Sequence, residues 1–272
     1  MQLKLFTRIK SDFFRKSKIQ EYKTLLEFAA NKGYVFLTLV DCYKSMLDGN
    51  LPKKYIVIRH DIDSHVLIAK KMYQIEKSLD IKSSYYFRIE TLDVDFIQTL
   101  TDNGNEVSYH NEELADYFKS QGLNKVYELS DELRLILQSN FKNNINLLRK
   151  KYGMKILSTV AHGDFVNRYV ALFNNDFLDN HFLNECEILV EGYNKQLISN
   201  FDAFISDSHL SNLFQNDENP FVRLTNNENL YILIHPNSWE NKFTETIKLN
   251  LLRFLEGICF KLGIKYPYRP KL

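Results

Sequence analysis

The chain has 272 residues, of which 44% are hydrophobic and 25% are charged, and its formal net charge is +1. This length is ample for a full hydrophobic core, and the even charge balance gives no bulk electrostatic reason to expect nucleic-acid binding. Three scattered cysteines without metal-binding spacing predict reduced thiols. Together with the lack of a signal-peptide-like segment, they predict a cytoplasmic protein.

The N-terminal segment is basic and carries an apolar stripe, but no stretch of the sequence is apolar for long enough to span a bilayer. Two interpretations of the stripe stay open. It contacts an anionic membrane surface peripherally, or it packs on the domain. The stripe consists of Leu3, Leu5, Phe6, Ile9, Phe13 and Phe14.

Strand-like and helix-like segments alternate after an opening helix predicted over residues 20–32. The longest predicted helix covers residues 126–152, and an apolar closing helix starts near residue 243. The alternation predicts an α/β fold with a parallel sheet, in one domain over residues 1–272 with residues 1–50 packed on it as a helical extension. About seven strands suggest a distorted (β/α) barrel. The strands are predicted at residues 54–60, 84–89, 106–110, 156–162, 187–193, 201–208 and 230–235.

Apolar strands repeatedly finish in ionisable side chains, and six of the seven histidines fall at or just past strand ends. In parallel α/β folds the active site lies at the C-terminal strand ends. The pattern therefore predicts a polar reaction centre on one rim of the sheet. The residues at these ends are His60, Asp61, Asp63, Arg88, Glu90, His110, Glu112, His162, Asp164, Glu191, Asp207, His209 and His235.

Asp61 and Asp63 are two residues apart, which points both carboxylates to the same side of an extended strand end. Two close carboxylates repel each other, and a divalent cation relieves that repulsion. With His110 and His162 from other strands, one aspartate gives a zinc ligand set that leaves a position open. The other aspartate is then free to act as general base, and His235 as the acid that protonates a leaving group. The parts fit metal-assisted hydrolysis of an amide or ester.

Three segments resemble the motifs of the polysaccharide deacetylase family, also called NodB homology or carbohydrate esterase family four. They are "VIRHDID", "NGNEVSYHNEE" and "LYILIHPNSW", and the resemblance covers residues 54–240 in the family's order, with "STVAHGD" and "AFISDS" where intermediate motifs belong. It implies Asp61 as base, Asp63 and His110 as metal ligands, and His235 as acid. It also implies a NodB-like distorted barrel of about seven strands.

The sequence departs from the family pattern at three places. Ile62 separates the paired aspartates, so either one can be the base and the other the ligand. Leu114 stands where the family has a second histidine ligand, and the Arg-Pro-Pro-Tyr-Gly-like third motif is absent, with "AHGD" in its neighbourhood. We predict that His162 supplies the missing ligand, because a catalytic zinc site usually has three protein ligands. Asp61 and Glu113 are rival donors, and His162 has the alternative role of hydrogen-bonding the substrate.

The resemblance implies a metal-dependent hydrolase that removes an acyl group, such as acetyl, from an N-acylated sugar or sugar conjugate in surface-polysaccharide biosynthesis. Zinc is the divalent metal we expect. Four side chains are predicted around the substrate: Arg88, Glu112, Asp207 and Trp239. Arg88 pairs with Asp61 or binds an anionic substrate, and the single tryptophan stacks on a sugar face or simply packs.

Two other functions stay open. A catalytically silent relative would bind a carbohydrate or a partner enzyme, which the leucine at position 114 favours. Another metal-dependent hydrolase would act on a different substrate, such as a cyclic amide or a phosphoester.

Overall fold

The computed structural model describes residues 16–207, 219–240 and 242–265, in which strands and helices alternate. The N-terminal apolar stripe and His209 lie outside the described residues. The strands are β1 (Val35–Leu37), β2 (Tyr55–Ile62), β3 (Ser84–Phe87), β4 (Glu106–Asn111), β5 (Ser158–Ala161), β6 (Val190–Glu191), β7 (Ala203–Ser206) and β8 (Leu230–Ile234). The α-helices are α1 (Ile19–Asn31), α2 (Leu39–Leu47), α3 (Val66–Ser78), α4 (Val94–Asp102), α5 (Glu113–Gln121), α6 (Asp131–Tyr152), α7 (Phe165–Val170), α8 (Asn180–Glu185), α9 (Lys195–Ile198), α10 (Pro220–Thr225) and α11 (Phe243–Lys261).

The seven predicted strands are β2 to β8, and their boundaries differ from the prediction by a few residues. β2 runs to Ile62 and therefore includes Asp61, which the sequence places after the strand. A charged residue is tolerated inside this buried strand because Arg59 pairs with it. The short strand β1 and the helix α2 were not predicted, since three residues are too few to show an alternating pattern.

The chain forms two compact units. The first comprises residues 1–86, 93–107 and 193–246, and the second comprises residues 87–92, 108–192 and 247–272. The division falls inside β3 and β4, so the ends of these two strands belong to the second unit.

In the first unit the strand order is β4-β3-β2-β8-β7, with β1 also beside β2. β2 pairs in parallel with β8, so that Ile56 lies opposite Leu230 and His60 lies opposite Ile234. β8 pairs in parallel with β7. Parallel neighbours present their C-terminal ends at the same edge, which places the polar ends of β2, β7 and β8 side by side.

The core of the first unit lies between the central strands and the opening helix. α1 has the predicted position and buries one face on this core. Its apolar spacing follows the helical repeat, which explains why the sequence could predict it. The buried face of α1 consists of Tyr22, Leu25, Leu26 and Ala29.

In the second unit β4, β5 and β6 pair in parallel in that order. α6 begins at Asp131 rather than at residue 126, because the Ser130 hydroxyl accepts from the Leu133 N–H and caps the helix there. It ends at Gly153, whose φ of 63° suits glycine. Full burial of a large aliphatic or aromatic side chain contributes about 1.5–3 kcal/mol to the free energy of unfolding. The buried row of α6 is Leu133, Leu137, Phe141, Ile145 and Leu148.

The predicted fold class is confirmed: the protein is α/β, with parallel strands and intervening helices. The single domain over residues 1–272 stays a prediction. Among the described residues, no helix is both long and apolar enough to cross a membrane.

Candidate active site

Arg59 and Asp61 are two residues apart on β2, so their side chains point to the same face of the sheet. The Arg59 guanidinium donates to the Asp61 carboxylate from Nε at 2.7 Å and from Nη2 at 2.6 Å. It also donates to the Tyr193 hydroxyl at 3.0 Å. Burial lowers the pKa of Arg59, but Asp61 outweighs this effect and the pKa rises. Arg59 thus holds the Asp61 carboxylate in one orientation, and a guanidinium at this distance favours the charged form of a carboxyl group.

His235 follows β8 directly and belongs on the same face as Asp61. The register pairs Ile234 of β8 with His60 of β2, so these two point to one face and the next residue of each strand points to the other. His235 and Asp61 are therefore neighbours at the strand ends of the first unit. The His235 side chain is 20% exposed, so solvent reaches it.

Asp207, at the end of β7, holds His235 in place. Its carboxylate lies 2.6 Å from Nδ1 of His235 and accepts from the His235 backbone N–H at 2.7 Å. It also accepts from Nε1 of Trp239 at 3.0 Å. Since a carboxylate only accepts, Nδ1 of His235 carries a proton, and Nε2 is the ring atom that can exchange a proton elsewhere.

The charges around His235 set its protonation state. Burial lowers the pKa of His235, but Asp207 outweighs this effect, and Asp63 and Asp61 add to it, so the pKa rises to about 9. His235 is therefore an imidazolium at neutral pH. The first unit thus combines a carboxylate bound by a guanidinium with an imidazole of raised pKa, two groups that could act as a base and an acid.

Asp63 follows β2 directly and is half-buried. His60 points to the opposite face of β2 and lies 2.6 Å from Glu76. His65 stands at the start of α3. Its ring contacts the Ser64 hydroxyl, and its backbone N–H donates to Glu245.

His110 and His162 lie together in the second unit, at the ends of the neighbouring strands β4 and β5. Their ring centres are 5.1 Å apart, and the rings meet edge to face. Nδ1 of His110 lies 3.0 Å from the Val160 carbonyl oxygen. A carbonyl only accepts, so this contact puts the proton on Nδ1 and leaves Nε2 as the atom that can coordinate a metal.

Glu112 places a buried carboxylate beside His162, with Oε2 3.4 Å from Nδ1 of the imidazole. Arg88 donates to Glu112 from Nε at 2.9 Å and from Nη2 at 2.5 Å. Burial raises the pKa of Glu112, but Arg88 and then His162 outweigh this effect and lower it. The ionised carboxylate favours a proton on Nδ1 of His162 and directs Nε2 away from Glu112, as carboxylates do beside histidine ligands.

Glu112, His162 and Asp164 form a group in the second unit that could hold a metal ion. Its two carboxylates already have basic partners, because Lys119 lies 2.9 Å from Asp164 and Arg88 binds Glu112. An added cation would have to displace these partners. The group is therefore better explained as an ion-pair network behind His162.

Leu114 and the rival metal donor Glu113 both lie in the second unit, where burial and hydrogen bonds define their surroundings. Leu114 is fully buried. Glu113 accepts from the Tyr109 hydroxyl at 2.7 Å and from Asn144 at 3.0 Å, and burial raises its pKa to about 7. Tyr109 precedes His110 on β4 and thus points to the other face. Glu113 therefore lies on the side of β4 opposite the His110 ring.

Trp239 is fully buried, and its ring packs edge to face on Tyr22 with the centres 5.3 Å apart. This position matches the packing alternative rather than stacking on a sugar. Its indole N–H also fixes Asp207.

Arg59 and Tyr193 were not predicted as site residues. The signal for Arg59 was present, because a spacing of two on a strand puts it on the Asp61 face. Tyr193 is 134 residues away along the chain from Arg59. No local pattern marks that contact.

The sequence matches no protein-family model and none of the curated proteins. Solved structures are similar to it. A deacetylase from Streptococcus pyogenes, PplD, has 16% identity and a TM-score of 0.42, and the match covers 56% of this chain and 68% of that one. IcaB from Ammonifex degensii has 13% identity and a TM-score of 0.44, with 63% and 74% covered.

The deacetylase domain of BpsB from Bordetella bronchiseptica has 11% identity and a TM-score of 0.44, and the match covers 78% of this chain and 83% of that one. Each of these is a protein that this chain is similar to in structure.

Proposed function

We propose that this protein is a metal-dependent hydrolase that removes an acyl group, such as acetyl, from an N-acylated sugar or sugar conjugate in surface-polysaccharide biosynthesis. The observation that carries the proposal is the pair of charged contacts in the first unit, Arg59 with Asp61 and Asp207 with His235. The Arg59 guanidinium binds the Asp61 carboxylate through two donors, and Asp207 raises the pKa of His235 to about 9. Hydrolysis of an amide requires both a base and an acid at the same pH.

Asp63, His110 and His162 are the proposed metal ligands. One carboxylate and two imidazoles are a ligand set that suits zinc. The contact of His110 with Val160 supports its part in the set, because it fixes the tautomer that a ligand needs. A bound zinc ion would polarise the acyl carbonyl and lower the pKa of a water.

Asp61 is the proposed general base. It takes a proton from water as the water oxygen attacks the acyl carbon, and Arg59 keeps its carboxylate directed during the transfer. His235 is the proposed general acid. Its imidazolium gives a proton to the sugar nitrogen as the carbon–nitrogen bond breaks, which leaves a free amine and a carboxylate product.

Two predicted substrate-binding residues gain a positioning role in this proposal. Asp207 orients His235 and keeps it charged, while Glu112 orients His162 and is held in turn by Arg88. Both carboxylates act through a histidine. Their substitution is expected to change the properties of that histidine more than the affinity for substrate.

Release of acetate from N-acetylglucosamine oligomers by the zinc-loaded protein tests the proposal, with free amine measured in parallel. Equal amounts of acetate and amine are expected. Stoichiometric bound zinc without acetate release from any N-acylated sugar tested would instead favour the catalytically silent relative.

Metal content separates the ligand set from its rivals. His162→Ala, His110→Ala and Asp63→Ala should each lose zinc, whereas Glu113→Ala should keep it. If His162→Ala binds zinc as tightly as the parent, His162 is not a ligand.

A further inference from the structure

The closing helix and the residues after it expose an unusual amount of apolar surface on the second unit. Between residues 247 and 265, the last that the structure describes, eight large apolar side chains are between 39% and 67% exposed. Contiguous apolar surface of this kind marks a contact site on a folded protein. The eight are Ile247, Leu251, Leu252, Phe254, Leu255, Ile258, Leu262 and Ile264.

Most of these side chains form one stripe along α11. Ile247, Leu251, Phe254 and Ile258 follow each other at spacings of four, three and four, which keeps them on one side of a helix. Phe260 is buried and lies about 150° around the helix from the middle of the stripe. The stripe therefore faces away from the side on which the helix packs.

The charges of this region are almost all basic. The chain has 35 basic and 34 acidic residues, of which 6 basic and 1 acidic fall within residues 247–272, leaving 29 basic and 33 acidic elsewhere. The one acid, Glu256, is ion-paired with Lys119 at 2.9 Å. Four of the basic side chains are described and exposed. They are Lys248, Arg253, Lys261 and Lys265.

We propose that α11 binds the surface of an anionic membrane, with its stripe in the interface between headgroups and acyl chains. An apolar helix face with lysine and arginine beside it is the pattern of interfacial helices, and each basic residue near an anionic leaflet adds attraction. A second copy of the chain is a poorer occupant, because the basic side chains of both copies would face each other. This surface lies outside the candidate active site, and the inference does not depend on the hydrolytic reaction.

Co-sedimentation of the full chain with vesicles tests the inference. The vesicles contain phosphatidylcholine alone, or equal parts of phosphatidylcholine and phosphatidylglycerol. The chain should sediment with the anionic vesicles, remain in solution with the neutral ones, and be released by high salt.

Two variants separate the apolar and the charged contributions. The triple variant L251S/F254S/I258S and the double variant K248E/K261E should each bind the anionic vesicles at least about tenfold more weakly. Leu135→Ser is the matched control, because Leu135 is 66% exposed on α6 and lies outside the stripe.

Two results would overturn the inference. One is binding of either α11 variant as tightly as the parent. The other is a parent protein that ignores both kinds of vesicle and forms a dimer that the triple variant abolishes, which would assign the stripe to contact between copies.

Discussion

The two faces of β2 carry the same kinds of side chain and use them differently. On one face, Arg59 neutralises Asp61 beside the partly exposed His235. On the other, His60 and Glu76 are fully buried and lie 2.6 Å apart. Both faces pair a cationic or titratable group with a carboxylate. Only the first face brings a titratable ring into contact with solvent.

The buried face satisfies its carboxylate completely. Glu76 accepts from Tyr22, from Ser83 at 2.5 Å and from Tyr85 at 2.6 Å, besides its contact with His60. The His60 ring also stacks on Tyr85, with the centres 4.4 Å apart. A network with so many partners fixes the packing of α3 on the sheet. Residue type alone therefore does not assign a role to a strand-end histidine. The exposure of its side chain and the partners of its ring do.

The largest effect is expected from loss of the proposed acid or base, which lie on the Arg59 face of the sheet. His235→Ala and Asp61→Asn should each lower the rate of acyl release by about 10²–10⁴, because each removes one proton transfer. Bound zinc and the unfolding midpoint of His235→Ala should stay near those of the parent.

His181→Ala is the matched control for His235→Ala, because its side chain is 86% exposed. It should turn over substrate at the parent rate. A His235→Ala variant with near-parental turnover would show that this residue is not the acid.

Glu76→Gln, at the buried face of β2, should lower the stability of the fold and leave the reaction rate unchanged. The change removes one acceptor oxygen from a buried hydrogen-bond network, and a buried group left without its partner costs about 1–3 kcal/mol of unfolding free energy, measured by urea denaturation. Burial raises the pKa of Glu76, but His60 outweighs this effect and lowers it, so the stabilisation is present at neutral pH and is lost as the pH falls through the folded-state pKa. The fraction that stays folded should keep the parent rate.

Glu27→Gln is the control for this change, because Glu27 belongs to an exposed ion pair with Lys23. Such pairs contribute about 0–1 kcal/mol. Equal stability losses in the two glutamate variants would contradict a structural role for the Glu76 network.

Glu112→Gln should have a smaller effect, and the property that changes should be the affinity for the metal. Glu112 orients the proposed ligand His162, and loss of such a partner typically weakens metal binding by about 10–100-fold. Glu113→Gln is the matched control, since its partners are Tyr109 and Asn144. Zinc titration by calorimetry compares them. Unchanged affinity in Glu112→Gln would mean that the carboxylate does not orient a ligand.

Much of the fold could be predicted because buried strands and amphipathic helices leave periodic patterns. The alternation along β2 explains why His60 turns away from the candidate site. The partner of His235 was not predictable, because Asp207 reaches it only through the pairing of β7 with β8. The apolar period of α11 predicted a helix but not the exposure of its stripe, since periodicity does not say what a face contacts.

The contact between Glu112 and His162 joins residues 50 positions apart, and the sequence offered both only as strand-end residues. Trp239 shows the same limit. Its place after His235 left stacking and packing equally open, and only the fold buries it against Tyr22.

The central claim is that Asp207 keeps His235 protonated as the acid, and the pH profile of kcat/KM for acyl release tests it most directly. The rate should fall as the pH rises through the His235 pKa of about 9, because the imidazolium loses the proton that it must donate. Asp207→Asn should move this alkaline limb toward the ordinary value of 6.5. The same alkaline limb in the parent and in Asp207→Asn would contradict the account.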